Sequence, residues 1–168
     1  DATDRMPGGV PYIIGNEGAD RAVYVQNVQG QVVFSGNAFV DVRHAAAVFE
    51  NGTGTRAQFL LEDNSITGDA SFFATTQIGV QASFTGNAVV DFSLIDNYFS
   101  DIGTQGIDLE AADNVQLHTM WRRNVVQNIK GPIAADVVFR DGVLAKLGFD
   151  QNSFGDLFGS ALNIELND

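Results

Sequence analysis

A single residue type recurs along the chain at nearly constant spacing, and this repeat constrains the fold more than any other feature. The recurring residues are Asn37, Asn64, Asn97, Asn124 and Asn152. The intervals between them are 27, 33, 27 and 28 residues. Repeats of this length are typical of solenoids, in which each unit contacts only its neighbours. The longer interval predicts an insertion around residues 67–77, in a turn between strands.

Apolar residues fall into columns when the asparagines are aligned. The column three residues before each asparagine contains Phe34, Leu61, Leu94, Trp121 and Phe149. Further apolar columns lie five, seven and nine residues before the asparagine, so neighbouring columns are separated by the two-residue period of a β-strand. The pattern therefore predicts a strand with one buried face before each asparagine. A short strand is expected after the asparagine, and a third strand opens the coil.

These features together predict an all-β fold, a right-handed parallel β-helix of about five coils with ~27 residues and three short strands in each coil. Residues 21–168 are assigned to the β-helix, which is expected to be open at its C-terminal end, and residues 1–20 to a lead-in or partial cap. The repeated asparagines are expected to form a ladder. Their amides bond to the neighbouring coils, and asparagine tolerates the left-handed backbone of a turn.

Charge and composition exclude several classes of partner. The chain has 21 acidic and nine basic residues, a formal net charge of −12, and no cysteine. Nucleic acids and anionic membranes are poor partners for such a chain, because binding them depends on basic residues. The longest apolar runs are far shorter than the roughly 20 residues that span a bilayer, so membrane insertion is not expected. The absence of cysteine excludes disulfides and thiol chemistry.

The segment 106–129, with Asn124 and its alternating apolar residues, resembles a coil of the right-handed parallel β-helix repeat proteins. That group includes the pectate-lyase-like superfamily, phage tailspikes, and bacterial surface and autotransporter-type proteins. The resemblance implies an extracellular or cell-surface location. In its enzymes the active groove lies on the outside of one sheet, and its lyases use Ca²⁺ held by clustered carboxylates with an Arg or Lys as base. Such enzymes usually have more coils and long loops that wall the groove.

The outward columns of the strand before the asparagine contain the best catalytic candidates. Asp91, His118 and Lys146 are expected on consecutive coils, and Arg122 follows on the same face. An acid, an imidazole and two cations would suit the binding of an acidic sugar or the abstraction of a proton. Opposite charges on adjacent strands also serve simple lateral pairing, and the sequence favours that structural interpretation.

Calcium is the only cofactor that the sequence suggests. Asp108 and Glu110 are expected to point outward from the opening strand, with Asp136 near them on the next coil, and carboxylate oxygens are the ligands that Ca²⁺ prefers. Solvated carboxylates without a metal are the alternative, which the sequence favours.

The sequence leaves two functions open. The first is a structural or adhesive extracellular module, a segment of a larger protein or assembly, which meets a protein partner or another copy of itself through open solenoid ends. The alternative is a polysaccharide-active enzyme, a lyase or hydrolase, or a carbohydrate-binding β-helix that uses the exterior of one sheet.

Overall fold

The structure is a computed structural model that describes residues 12–14, 20–68 and 76–167. The described residues contain strands and turns but no helix. The strands in chain order are β1 (Tyr12–Ile14), β2 (Arg21–Gln26), β3 (Gly30–Ser35), β4 (Ala38–Val40), β5 (Ala45–Asn51), β6 (Arg56–Glu62), β7 (Ser65–Thr67), β8 (Ile78–Phe84), β9 (Val89–Ile95), β10 (Tyr98–Ser100), β11 (Gln105–Ala111), β12 (Gln116–Arg122), β13 (Val125–Gln127), β14 (Ile133–Arg140), β15 (Leu144–Asp150), β16 (Ser153–Gly155) and β17 (Ser160–Asn167).

Every third strand belongs to the same parallel sheet. Sheet I contains β2, β5, β8, β11, β14 and β17; sheet II contains β3, β6, β9, β12 and β15; sheet III contains β1, β4, β7, β10, β13 and β16. The chain passes from sheet I to sheet II to sheet III and then begins the next coil. This arrangement is a parallel β-solenoid of about five turns, which confirms the predicted fold class and its repeat of ~27 residues.

The strand register reproduces the columns read from the sequence. Leu94 pairs with Trp121, and Trp121 pairs with Phe149, so the column before the ladder asparagine is continuous across coils. Leu61, Leu94 and Trp121 are at most 1% exposed. The two-residue period therefore identified the buried face of sheet II correctly, because alternate side chains of a strand point to the same side.

Phenylalanines from sheets I and II meet in the centre of the solenoid. Phe49 and Phe84 come from sheet I, and Phe59 and Phe92 come from sheet II; all four are buried. The ring centroids of Phe49 and Phe59 are 5.1 Å apart, and those of Phe84 and Phe92 are 5.7 Å apart. Tilted and edge-on contacts of this kind add about 0.5–1.5 kcal/mol each to the free energy gained from burial. They join the sheets across the core.

The asparagine ladder is present and has a fixed direction. Asn64 donates from its backbone N and from Nδ2 to Oδ1 of Asn97, at 3.1 and 3.0 Å. Asn97 repeats both bonds toward Asn124, and its Nδ2 also donates to the carbonyl of Leu61 at 2.9 Å. Between successive ladder asparagines the donor is always the residue nearer the N-terminus and the acceptor the residue nearer the C-terminus, which confirms the predicted ladder.

The left-handed residue of this turn is the one before the asparagine, so the expectation that the asparagine itself adopts that conformation is wrong. The residues with positive φ at this position are Gly36, Asp63, Asp96, Arg123 and Gln151. The residue before the asparagine makes the turn, because the backbone N–H and Nδ2 of the asparagine both donate along the solenoid axis. The next turn is rich in Asp and Asn, as predicted, and Asp41, Asp101, Asn128 and Asp156 adopt the left-handed conformation there.

The insertion lies in the turn between sheets III and I. Residues 68–77 separate β7 from β8, whereas only residues 101–104 separate β10 from β11. Residues 69–75 of this turn lie outside the described part. Within the segment assigned to a lead-in or partial cap, β1 pairs in register with β4, so sheet III extends into residues 1–20. Residues 1–11 and 15–19 also lie outside the described part.

Candidate functional site

Asp91, His118 and Lys146 occupy one outward column of sheet II. They lie on β9, β12 and β15 and are direct register partners. His118 Nδ1 is 3.4 Å from Asp91 Oδ1, and Gln58 Nε2 donates to Asp91 Oδ2 at 3.1 Å. The side chains of Asp91 and His118 are each about half exposed, at 49% and 48%. The structure therefore brings the predicted acid and imidazole together on an open surface.

The two predicted cations have different surroundings. Arg122 Nε lies 3.2 Å from Asp150 Oδ2 on the next coil, so its charge is already paired. Within the described residues Lys146 makes no ion pair. The column therefore offers an Asp91–His118 pair with an ammonium group beside it. Such a set can bind an anionic group through Lys146 and exchange a proton through His118.

A concavity of about 560 Å³ lies over the beginnings of β9, β12 and β15 and is lined by Asp91, His118 and Lys146. A second concavity of about 520 Å³ extends along β3 and β6 and shares Val89 and Asp91 with the first. The two form one open furrow parallel to the solenoid axis.

The shortest ion pair among the described residues lies in the turns that follow β9 and β12, and it was not identified from the sequence. Arg123 donates from Nε and from a terminal nitrogen to the two carboxylate oxygens of Asp96, with the Nε bond at 2.6 Å. These hydrogen bonds hold the pKa of Asp96 below its usual range and raise the pKa of Arg123. Both residues directly precede a ladder asparagine, so alignment of that column would have predicted the pair.

The predicted calcium residues lie on the outside of sheet I. Asp108 and Asp136 are register partners, and each accepts from an amide: Gln81 donates to Asp108 at 3.2 Å, and Asn163 donates to Asp136 at 3.0 Å. Burial is the main cause that raises the pKa of Asp108, and the nearby Glu110 and Asp136 raise it further. Arg140 lies 3.6 Å from Glu110.

Metal binding at these carboxylates stays a prediction. Among the described residues no group of three or more His, Asp or Glu side chains is placed to hold a metal ion. Side-chain amides donate to one oxygen of Asp108 and to both oxygens of Asp136, the second of which accepts from Gln105 at 3.3 Å, and carboxylate oxygens are the atoms that a Ca²⁺ ion would need.

The C-terminal coil exposes residues that continue the core columns. Phe149, Ile164 and Leu166 are register partners of the buried Trp121, Val137 and Phe139, yet they are 40%, 42% and 75% exposed. In the described part of the chain, β15, β16 and β17 are the last strands of their sheets. This coil therefore presents an apolar face bordered by unpaired strand edges.

Asn152 is the last ladder asparagine among the described residues. It accepts from Asn124 through Oδ1 and donates from Nδ2 to the carbonyl of Trp121 at 2.8 Å. In Asn97 the backbone N–H and the second Nδ2 hydrogen bond to Asn124. Within the described residues the same two groups of Asn152 have no acceptor.

No family model, curated protein or solved structure matches the chain. The described part of the chain also contains no helix long and apolar enough to cross a membrane.

Proposed function

We propose that the chain is a structural module of an extracellular or cell-surface protein, related to the pectate-lyase-like β-helix group, that acts as a rigid spacer or assembly unit. The observation that carries this proposal is the unbroken stack of three parallel sheets together with the asparagine ladder that joins their coils. Association is proposed at the last described coil, where Phe149, Ile164 and Leu166 are exposed although their register partners one coil earlier are buried. Exposed strand edges over an apolar surface favour association with another polypeptide.

The continuity of the solenoid supports a spacer role. The three sheets and the ladder run along the same axis. A mechanical force on one coil is therefore shared by the backbone hydrogen bonds of three sheets and by the asparagine hydrogen bonds that join successive coils. A module of this kind transmits position and force without a hinge.

Association through the C-terminal coil can be tested by light scattering. The average mass of the chain should rise with concentration, and Leu166→Asp should reduce the rise because it places a carboxylate on the apolar face. Val33→Asp is the matched control, since Val33 is also an exposed apolar residue, at 50%, but lies on the outer face of β3 near the other end. A chain that stays monomeric, or equal effects of the two variants, would contradict the proposal.

The location can be tested separately in the cells that produce the protein. An antibody against the folded chain should label intact cells or the culture medium. Labelling only after permeabilisation would contradict an extracellular or cell-surface role.

The furrow on sheet II favours a second candidate function, the binding or cleavage of a polysaccharide. The supporting observation is the Asp91–His118 contact of 3.4 Å beside the unpaired Lys146, in a concavity of about 560 Å³. A screen against acidic and neutral polysaccharides should look for new reducing ends, unsaturated products and bound sugar. His118→Ala should abolish any activity or binding found, whereas His44→Ala, at an exposed position in the turn between β4 and β5, should leave it unchanged.

A further inference from the structure

We infer that the junction between Asn51 and Gly52 is a covalent modification site that the folded chain protects. When the coil formed by β2–β4 separates from the coil formed by β5–β7, the Asn51 side chain can cyclise and lose ammonia. The product no longer fits between the two coils, so the separation becomes permanent. This inference is independent of the proposed assembly function.

The chemistry of the junction follows from its two residues. Asn51 is the only asparagine in the 168 residues that a glycine follows. Glycine has no Cβ to hinder its backbone nitrogen and has the freest backbone, so it favours ring closure onto a preceding asparagine. Hydroxide removes the proton of Gly52 N, this nitrogen attacks Cγ of Asn51, the Cγ–Nδ2 bond breaks, and Nδ2 takes a proton from water and leaves as ammonia. Water then opens the five-membered imide at either carbonyl and gives aspartate or isoaspartate.

The folded chain holds the Asn51 side chain away from this reaction. Asn51 ends β5 and is 2% exposed. Its Oδ1 accepts from the backbone N of Val28 at 3.0 Å, and its Nδ2 donates to the carbonyl of Val28 at 2.9 Å. Ring closure requires the amide to rotate toward Gly52 N, and the two bonds to Val28 oppose this rotation.

The attacking nitrogen is also held by the β2–β4 coil. Gly52 N donates to Oδ1 of Asn27 at 3.0 Å, and Asn27 N donates to the carbonyl of Glu50 at 2.8 Å. The bonds to the Asn51 amide and to Gly52 N thus all come from residues 27 and 28. One event, the separation of this coil from the next, releases both reacting groups.

The contacts of the two coils favour such an opening. β2 and β3 contain no fully buried residue, whereas six of the seven residues of β5 are buried. Segments with few buried apolar contacts open at a lower free energy than the core. A bond from Thr85 N to the carbonyl of Asn51 remains at 2.9 Å, but Asn51 is then the last residue of an edge strand, which frays readily. We therefore expect the junction to become reactive without global unfolding.

Conversion of Asn51 prevents the coils from rejoining. Aspartate would place a carboxylate oxygen where Nδ2 lies, 2.9 Å from the carbonyl oxygen of Val28, at a position that is 2% exposed. Two acceptors without a hydrogen between them repel each other, and a buried charge without a partner is unfavourable. Isoaspartate adds one carbon atom to the backbone and displaces the end of β5 from its register with β8.

Peptide mapping by mass spectrometry measures the conversion of Asn51 with time in mildly alkaline buffer. Conversion in the folded chain should be at least about a hundredfold slower than in the urea-unfolded chain, because the reaction requires an opening. Isoaspartate should be among the products, since the imide opens at either carbonyl. Equal rates in the folded and unfolded chains, or products without isoaspartate, would overturn the inference.

A pair of variants tests whether the β2–β4 coil supplies the protection. Asn27→Gly removes the acceptor of Gly52 N and tolerates the φ of 50° at this position, so it should speed conversion in the folded chain at least about fivefold. Asn87→Gly is the matched control, because it removes the acceptor of Gly54 N, at 2.7 Å, and should leave the rate at Asn51 unchanged. Equal rates in the two variants would contradict protection by this coil.

A third variant tests the consequence of conversion. Asn51→Asp should raise the amide exchange rate of Asn27, whose N–H bonds to Glu50 on the next coil, at least about tenfold. The exchange rate of Val125, whose N–H bonds to Asn97 O at 2.8 Å far from this joint, should stay the same. Unchanged exchange at Asn27 would show that the converted coils rejoin, and the inference would be wrong.

Discussion

Asn97, like Asn64 and Asn124, bonds through its side chain to two backbone groups of the previous coil. It is 1% exposed, accepts from Asn64 N and Nδ2, and donates to Asn124 and to the carbonyl of Leu61. Because these partners are themselves buried, removal of the amide leaves them without hydrogen bonds in a place that water does not reach. The ladder therefore depends on the amide group rather than on the volume of the side chain.

Asn97→Leu should lower the free energy of unfolding by about 3 kcal/mol, since at least two buried polar groups lose their partner. Urea unfolding measures the effect. Gln31→Leu is the control, because Gln31 lies on the exposed face of β3 and its replacement should change stability by less than about 0.5 kcal/mol. Equal midpoints for the two variants would show that the ladder does not stabilise the fold.

Asp108 makes stability depend on pH in the opposite direction to an exposed paired carboxylate. Its pKa is raised chiefly by burial and further by the negative charges of Glu110 and Asp136, while the bond from Gln81 opposes the rise. A raised pKa in the folded state means that the folded state binds the proton more tightly than the unfolded state. This contribution to stability is complete below the unfolded pKa and is lost as pH rises through the folded pKa.

Asp108→Asn should therefore raise the melting temperature at pH values above the raised pKa of Asp108, where the wild-type carboxylate is charged, and the gain should disappear below about pH 4. Melting curves across this range measure the difference. Asp41→Asn, in the turn after β4, is the control and should not show this pH-dependent gain. A gain that is constant with pH would show that the charge of Asp108 is not its cause.

Two glycines near the C-terminal end differ in how closely the backbone of another coil approaches them. Gly131 lies between β13 and β14, and a Cβ atom built on it would be 2.0 Å from the carbonyl oxygen of Thr104 in the previous coil. Gly155, at the end of β16, has nothing within 4 Å of such an atom. The two glycines therefore have different roles although the sequence alone does not distinguish them.

Gly131→Ala should reduce stability by about 2 kcal/mol, because the coils must separate locally to admit the methyl group. Gly155→Ala should be neutral or slightly stabilising, since it only restricts the unfolded chain. Chemical denaturation of the two variants measures this difference. Similar losses would mean that backbone entropy, not the contact with Thr104, determines the effect.

Removal of an aromatic ring should reduce stability more in the centre of the solenoid than near the C-terminal coil. Phe59→Ala removes a ring that is 1% exposed and contacts three other phenylalanines, so we expect a loss of about 3–5 kcal/mol. Phe158 is 75% exposed, and Nζ of Lys130 lies 5.5 Å from its ring centroid. Phe158→Ala should cost less than about 1 kcal/mol in thermal unfolding. Equal losses would show that Phe158 is buried in solution.

The strands and their register could be predicted because each coil repeats the same two constraints. The period of two determines which side chains of β12 are buried, and the asparagine spacing determines which residue of β9 each one meets. Asp91 and His118 were placed together for that reason. The ion pair between Asp96 and Arg123 was missed although the column directly before the ladder asparagine contains both residues, whereas the close approach of Gly131 to Thr104 depends on the path of the backbone in the turn.

The net charge of −12 acts on the molecule as a whole. The described residues form four ion pairs, one of which involves His118, and their side chains are 36–51% exposed. Exposed pairs contribute at most about 1 kcal/mol each, so repulsion between the surplus carboxylates is expected to exceed their attraction. Salt screens this repulsion, and the screening length falls to about 8 Å at physiological ionic strength.

The melting temperature should therefore rise when NaCl is added to a solution of low ionic strength, and calorimetry measures the rise. CaCl₂ and MgCl₂ at matched ionic strength should give equal shifts if they act only by screening. A larger shift with Ca²⁺ that Asp136→Asn removes would instead identify a calcium site at Asp108, Glu110 and Asp136, because a bound ion stabilises the folded state by mass action. Asp41→Asn is again the charge-matched control, since it removes one carboxylate from the turn after β4 and leaves sheet I unchanged. A fall in melting temperature with NaCl would show that the attraction within the ion pairs exceeds the repulsion between the surplus carboxylates.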